Sequence, residues 1–280
     1  MQQKKLICYV TGGLGNRVLP LSSLRLFAEL TNRQLYLYWP LDFRCGGHFS
    51  EFYDDEIISV DESFLRALPP ETTEVFCRFG DGVDNDYRVY HRSFLWDARA
   101  AGRLQMIDPS FDNEVENIIC CTNTFLTNIP QEMNEFSLRN LHIKKDILQE
   151  AEQISQQLGL DKKVLGVHLR GTDYNLPAAH YAEMLRSEIP RYSFEKIFIC
   201  SDDATHESHI EEHFSNTIRR KDKIYIKRND ESRGEWTHNT NTTSESLRDT
   251  VIDILLLAKT NFKIYNKTSS FARYAEILAQ

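Results

Sequence analysis

The chain has 280 residues, 41% hydrophobic and 26% charged, enough for two medium domains with real cores and ordinary for a soluble globular protein. With Lys and Arg totalling 33 against 41 Asp and Glu, the formal net charge of -8 offers no general surface for polyanions. Nucleic acid is therefore disfavoured as a partner, and any phosphate site must be local.

No run of about 20 apolar residues is long enough to span a bilayer. "MQQKKLICYVTGG" reaches glycine too early for a cleaved leader. A cytoplasmic protein without a transmembrane segment is expected, with peripheral membrane association left open. Of the six cysteines, none forms a C-x-x-C pair, and Cys8, Cys120 and Cys200 lie in apolar runs, so they read as buried free thiols.

In chain order, "LICYVT" reads as a strand, "LPLSSLRLFAELTN" as a helix and "QLYLYW" as a strand, which together make a βαβ unit. "SFLRALPP" predicts a short helix, "EVFCRF" and "ENIICCT" predict strands, and "GDGVDNDYRVYHRS" between them is a polar aromatic loop. "LHIKKDILQEAEQISQQLGL" puts Ile143, Ile147, Leu148, Ala151, Ile154 and Leu158 on one helical face and stops at Gly159. It is taken as the hinge between halves.

The pattern then restarts. "VLGVHL", "KIFICS", "KIYIK" and "FKIYN" are expected strands, alternating with helices around 181–188, 204–214 and 244–260 and a last one through Ala279. That rhythm predicts α/β architecture with parallel sheets covered on both faces, as two doubly wound, Rossmann-like domains facing a cleft. The domains are assigned to 1–145 and 146–280. The polar run Arg228 to Ser246 reads as a mobile loop.

Five segments could carry chemistry. In "YVTGGLGNRV", Gly13 and Gly15 supply two of the three positions of a dinucleotide fingerprint, and Val18 stands at the third. What remains is a strand-to-helix turn whose amides could bind a phosphate or sugar hydroxyl, with Asn16 and Arg17 projecting from it. A glycine turn that only lets helix and strand pack closely fits as well. In "GVHLRGTD", alternation puts His168 and Arg170 on one face, and an arginine at the carboxyl end of a parallel strand stands where open α/β sheets bind ligands. Its fork matches two phosphate oxygens, while pairing with Asp173 is the plain alternative.

"NKTSSFARYA" lets Ser269 or Ser270 cap the last helix and offer its amides to an anion. Asp253 lies in the apolar helix "TVIDILLLAK" and needs a partner, which a guanine edge or a neighbouring arginine would supply equally. The acids of "FICSDD" are read as helix caps rather than Mg²⁺ ligands.

Taken in order, "GGLGNR", "GVHLRGTD", "FICSDD", "VIDILLLAK" and "TSSFARYA" resemble the fucosyltransferase superfamily that includes the nodulation α-1,6-fucosyltransferases and the protein O-fucosyltransferases, and more distantly the α-1,2-fucosyltransferases. The resemblance implies a GT-B fold, GDP-fucose as donor substrate, no cofactor, no essential metal, inversion at the anomeric carbon and a glycan acceptor. It implies that Arg170 grips the β-phosphate and that His168 and Asp253 lie near the guanine. Ser269, Ser270 and Phe271 would line the diphosphate site. Asn16, with Gly13, Leu14, Gly15 and Arg17, would reach the donor from the first domain.

Where relatives often carry two arginines, this chain has Arg170 followed by Gly171. Asp173, Asp42 and Glu51 are the candidate general bases, Asp173 foremost. Two alternatives stand beside this reading: a nicotinamide-dependent oxidoreductase, for which Tyr192 and Lys196 have the Tyr-x-x-x-Lys spacing, and a GDP-sugar- or glycan-binding protein without turnover.

Overall fold

The computed structural model describes residues 3–69, 72–76, 104–106, 116–121, 125–126, 129–171, 178–225 and 242–280. The chain forms two compact units, Met1–Pro40 with Asp55–Leu141, and Leu41–Asp54 with His142–Gln280. The boundary expected at 145/146 thus lies inside the second unit, which also takes in a short earlier segment. Close backbone contact explains that capture. Thr242 donates from its amide (3.2 Å) and hydroxyl (3.0 Å) to the Phe43 carbonyl, and Gly46 donates its amide to the same hydroxyl at 3.0 Å. A Cβ at Gly46 would come 1.9 Å from the Thr242 carbonyl oxygen, so only glycine fits.

The first unit holds a parallel sheet of β1 (Lys5–Tyr9), β2 (Gln34–Tyr38), β3 (Ile58–Val60), β4 (Thr73–Phe76), β5 (Leu104–Met106) and β6 (Asn117–Cys121), in the order β3-β2-β1-β6-β4-β5. Leu6, Ile7, Cys8 and Tyr9 are all buried, as a central parallel strand covered on both faces requires. Helix α1 (Leu14–Leu30) starts directly after the glycine turn, and α2 (Glu62–Arg66) is capped by Asp61.

Helix α3 (Gln131–Arg139) has no counterpart among the sequence expectations. Tertiary bonds hold it. The Ser23 hydroxyl donates to Asn134 (2.6 Å), Asn134 donates to the Leu126 and Ile129 carbonyls (both 3.1 Å), and Ser137 donates to the Ser22 carbonyl (2.8 Å).

The second unit runs α4 (Lys145–Leu158), β7 (Val164–Leu169), α5 (Ala178–Glu188), β8 (Lys196–Ser201), α6 (Ala204–His213), β9 (Thr217–Arg219), α7 (Ser244–Lys259), β10 (Asn261–Ile264) and α8 (Ser270–Leu278). Its parallel sheet has the order β10-β7-β8-β9. Gly159 ends α4 at φ 63, the left-handed conformation its position predicted.

One expected strand is misplaced. Residues 217–219 form β9, whereas Lys223–Tyr225 of "KIYIK" lie outside any strand. The loop 80–93 and most of the 228–246 run fall outside the described residues.

Candidate functional site

In each sheet the strand order reverses beside the strand that carries a sequence-picked segment. In the first unit β1 is flanked by β2 on one side and by β6 on the other, so the glycine turn leaves the carboxyl end of a switch-point strand. In the second unit the chain steps from β7 to β8 to β9, and β10 then returns to the other side of β7. Ligands of open α/β sheets bind at such crevices because adjacent connections diverge to opposite faces.

The glycine turn needs its first glycine for conformation, since Gly12 has φ +78. Gly13 follows as the extended N-cap of α1 without any side-chain cap, leaving the first-turn amides without a side-chain acceptor from that residue. Leu14 and Gly15 are buried and Asn16 is half-buried.

Arg17 corrects the expectation that it projects from the turn. It is wholly buried, donates from Nε to the Gly12 carbonyl at 2.7 Å and from Nη1 to the Pro40 carbonyl at 2.6 Å, and lies 5.0 Å over the Trp39 ring. Its guanidinium braces the turn's backbone. Of Asn16 and Arg17, it is Asn16 that keeps part of its surface accessible.

In the second unit, His168 and Phe271 meet ring on ring, 4.4 Å between centroids and 25° between planes. This stack joins the carboxyl end of β7 to the first turn of α8 across the switch point. Ser269 settles the capping alternative: its Oγ accepts from the Ala272 amide at 3.3 Å. Ser270 and Phe271 then contribute first-turn amides for which an α-helix has no internal acceptor.

His168 is 6% exposed, and its Nδ1 is buried without a hydrogen-bond partner among the described residues. Burial, with the charge of Arg170 adding to it, pushes the imidazole down to about 4, so it is neutral at physiological pH. The sign follows. Below its ordinary 6.5 the unfolded chain takes up a proton that the folded chain refuses, so this group's contribution to stability is complete above 6.5 and is lost as pH falls toward about 4. We expect up to about 3 kcal/mol of stability to disappear over that window in urea titrations, and His168→Asn to flatten the slope. An identical slope in the variant would remove His168 from the account.

Arg170 and Gly171 follow β7. The Tyr181 hydroxyl donates to the Arg170 carbonyl at 2.6 Å, and Asp202 Oδ1 accepts from the Gly171 amide at 2.7 Å. Asp203 caps α6 through the Thr205 amide at 2.8 Å, as its position predicted. A Cβ on Gly171 would lie 2.4 Å from His206 Nδ1 and 2.5 Å from Asp203 Cβ. The first turn of α6 therefore occupies the space that a second arginine's side chain would have to cross. Gly171→Ala is expected to cost about 1–3 kcal/mol in denaturant unfolding, because overpacking must shift that turn. Unchanged stability would mean the turn yields freely.

Asp253 is 6% exposed, and its partner is a lysine. Lys223 donates at 2.8 Å to Asp253 Oδ2, at 2.7 Å to Glu207 Oε1 and at 2.8 Å to the Ser201 carbonyl, using all three of its protons. Burial opposes the charge, yet Asp253 and Glu207 hold the ammonium charged well above its ordinary range. Asp253 Oδ1 stays buried without a hydrogen bond among the described residues, with Arg220 Nη1 at 3.9 Å. Lys223 and Glu207 were missed by sequence reasoning. The signal was present in the need of buried Asp253 for a cation, but it did not say which one.

Of the candidate bases, Asp42 Oδ1 accepts from the amides of Arg44 (2.8 Å) and Cys45 (3.0 Å). Glu51 accepts from Ser244 and from the His48 amide, and the Ser244 bond first of all holds its carboxyl below the usual range. Both shape the 41–54 segment. Asp173 lies outside the described residues. Tyr192 and Lys196 share no helix, since Lys196 opens β8, which removes the geometry a nicotinamide-dependent dehydrogenase of that spacing needs. Among the described residues no helix is long and apolar enough to cross a membrane.

No protein-family profile matches the chain, and none of the curated proteins matches it in sequence. Solved structures match it over nearly its whole length. The α-1,6-fucosyltransferase NodZ co-crystallised with GDP does so with a TM-score of 0.65 at 19% identity, over 99% of this chain and 93% of NodZ. Fucosyltransferase NodZ from Bradyrhizobium gives 0.66 at 16% identity, over 99% and 94%. POFUT1 in complex with GDP-fucose gives 0.53 at 11% identity, over 99% and 94%.

The chain therefore has the two-unit α/β fold of GT-B nucleotide-sugar transferases. Within that class its fold is the one shared by the fucosyltransferases NodZ and POFUT1.

Proposed function

We propose that this protein transfers L-fucose from GDP-fucose to a hydroxyl of a glycan acceptor, with inversion at the anomeric carbon and without an essential metal. The observation that carries the reading is the switch-point constellation of β7 and α8. A neutral His168 stacked on Phe271, Arg170 one residue beyond the strand, and the Ser269-capped helix start stand together in a fold whose neighbours bind GDP and GDP-fucose.

Guanine suits the base side. Asp253 Oδ1, buried without a hydrogen bond among the described residues, is the kind of acceptor a ring N–H or amino group needs, and Lys223 holds the other oxygen. As the bond from fucose to the β-phosphate breaks, negative charge grows on GDP and the sugar becomes oxocarbenium-like. Arg170 and the first-turn amides of α8 then stabilise the transition state more than the ground state. Asn16 is assigned to the donor from the glycine turn, and Asp173 is the base proposed to take the acceptor's proton.

A thermal-shift panel followed by mass analysis tests this. Stabilisation by GDP but not by UDP, ADP or NAD, with a gain of one deoxyhexose on an acceptor in a glycan library, is the expected result. GDP binding with no donor consumed across the library would favour a binding protein instead, and stabilisation by an adenine nucleotide would overturn the base assignment.

A further inference from the structure

On α6, in the second unit, the sequence His209-Ile-Glu-Glu-His213 ends the helix. Residues four apart lie one turn above each other, so His209 and His213 share a face, with ring centroids 4.3 Å apart. Glu212 flanks them. One ring nitrogen from each histidine and a carboxylate oxygen of Glu212 all lie within 4.8 Å of one another. The spacing H-x-x-E-H is one that a class of zinc enzymes uses to place two imidazoles on a metal.

Two further observations point to a ligand. His213 Nδ1 lies 2.8 Å from the His209 carbonyl oxygen, which can only accept, so the neutral ring carries its proton on Nδ1 and its lone pair on Nε2. Metal-bound histidines are commonly fixed in this way, by a carbonyl on the nitrogen that does not ligate. His209 Nε2, in turn, is buried without a hydrogen-bond partner among the described residues. Left unfilled, the cluster crowds two imidazoles and a carboxylate at a helix end.

We propose that His209, Glu212 and His213 form a binding site for one divalent transition-metal ion, of the zinc, nickel or copper class. Two imidazoles and one carboxylate suit a borderline ion and leave its remaining positions to water. Magnesium and calcium, which seek oxygen cages, fit poorly. The site is separate from the proposed fucose transfer, since it lies at the carboxyl end of α6 while His206 and Asp203 at the other end back Gly171. The ion's effect is to clamp the last turn of the helix that supports that strand end.

The test uses untagged full-length protein, stripped with chelator and titrated with ZnCl₂ by calorimetry, beside His213→Ala. His213 is exposed at the helix end, so the variant should fold, which circular dichroism checks. The expected result is one Zn²⁺ bound per chain by the wild type, with affinity falling at least about tenfold in the variant, the loss typical even of an outer partner of a metal ligand. No one-to-one binding by the wild type, or a smaller loss in the variant, overturns the proposal. The second outcome would place the zinc elsewhere, as on the buried thiols.

Discussion

Arg170→Ala is expected to slow the proposed fucose transfer by about 10²- to 10³-fold while leaving the unfolding midpoint near that of the wild type. The rate argument rests on where charge develops. Bound GDP-fucose already carries its phosphate charges, but the extra electron pair reaches the β-phosphate only as the sugar departs. A guanidinium there is worth most in the transition state, so the loss should fall on kcat rather than on KM. The stability argument rests on the backbone. The Tyr181 hydroxyl bonds to the Arg170 carbonyl, a backbone contact that alanine retains. Arg170→Lys should recover only part of the rate, because a point charge cannot bridge two phosphate oxygens. Saturating-donor kinetics would decide, and an undiminished kcat would take Arg170 out of the mechanism.

Lys223→Met is expected to destabilise the protein by about 3–5 kcal/mol. The side chains involved are 3% exposed for Lys223, 0% for Glu207 and 8% for Asp253, so water cannot replace the lost ammonium. Asp253 Oδ2, Glu207 Oε1 and the Ser201 carbonyl would lose the ammonium at once, with Glu207 keeping the Ser201 amide and the Tyr225 hydroxyl as donors. Burial already pushes the Glu207 carboxyl up, and without Lys223 the Tyr225 hydroxyl and Arg219, at 3.5 Å, are left to oppose that. Replacing Asp253 as well, in Lys223→Met/Asp253→Leu, should restore part of the loss by removing one of the stranded charges. Urea unfolding measures both, and a single-variant cost under about 1 kcal/mol would show that the network is looser than its geometry indicates.

Much of the candidate site was legible before any coordinate. The strand that carries His168 to its carboxyl end, with Arg170 just beyond it, was readable from the apolar run, and Ser269 is one of the two caps that capping chemistry offered for the helix it opens. Arg17 shows the opposite. A charged residue after a glycine turn reads as exposed, yet it lies buried because two carbonyls, one of them 23 positions away, accept from it. Strand β9 was misread because "KIYIK" alternates as a strand does, whereas Asp249 binds both the Ile224 amide and Arg220 and ties that stretch to α7 instead.

The sequence by itself determined the alternation of strands and helices, the helix caps, and the residue types at the carboxyl end of β7. These depend on neighbours within a few positions, where side-chain period and backbone conformation act directly. Only the tertiary structure decided the strand order that makes β7 a switch point, the assignment of Leu41–Asp54 to the second unit, and the lysine that pairs Asp253. The reason is the reach of the forces. A buried charge is stabilised by whichever opposite charge the fold brings within about 3 Å, and here that partner stands 30 residues away, a separation no local pattern encodes.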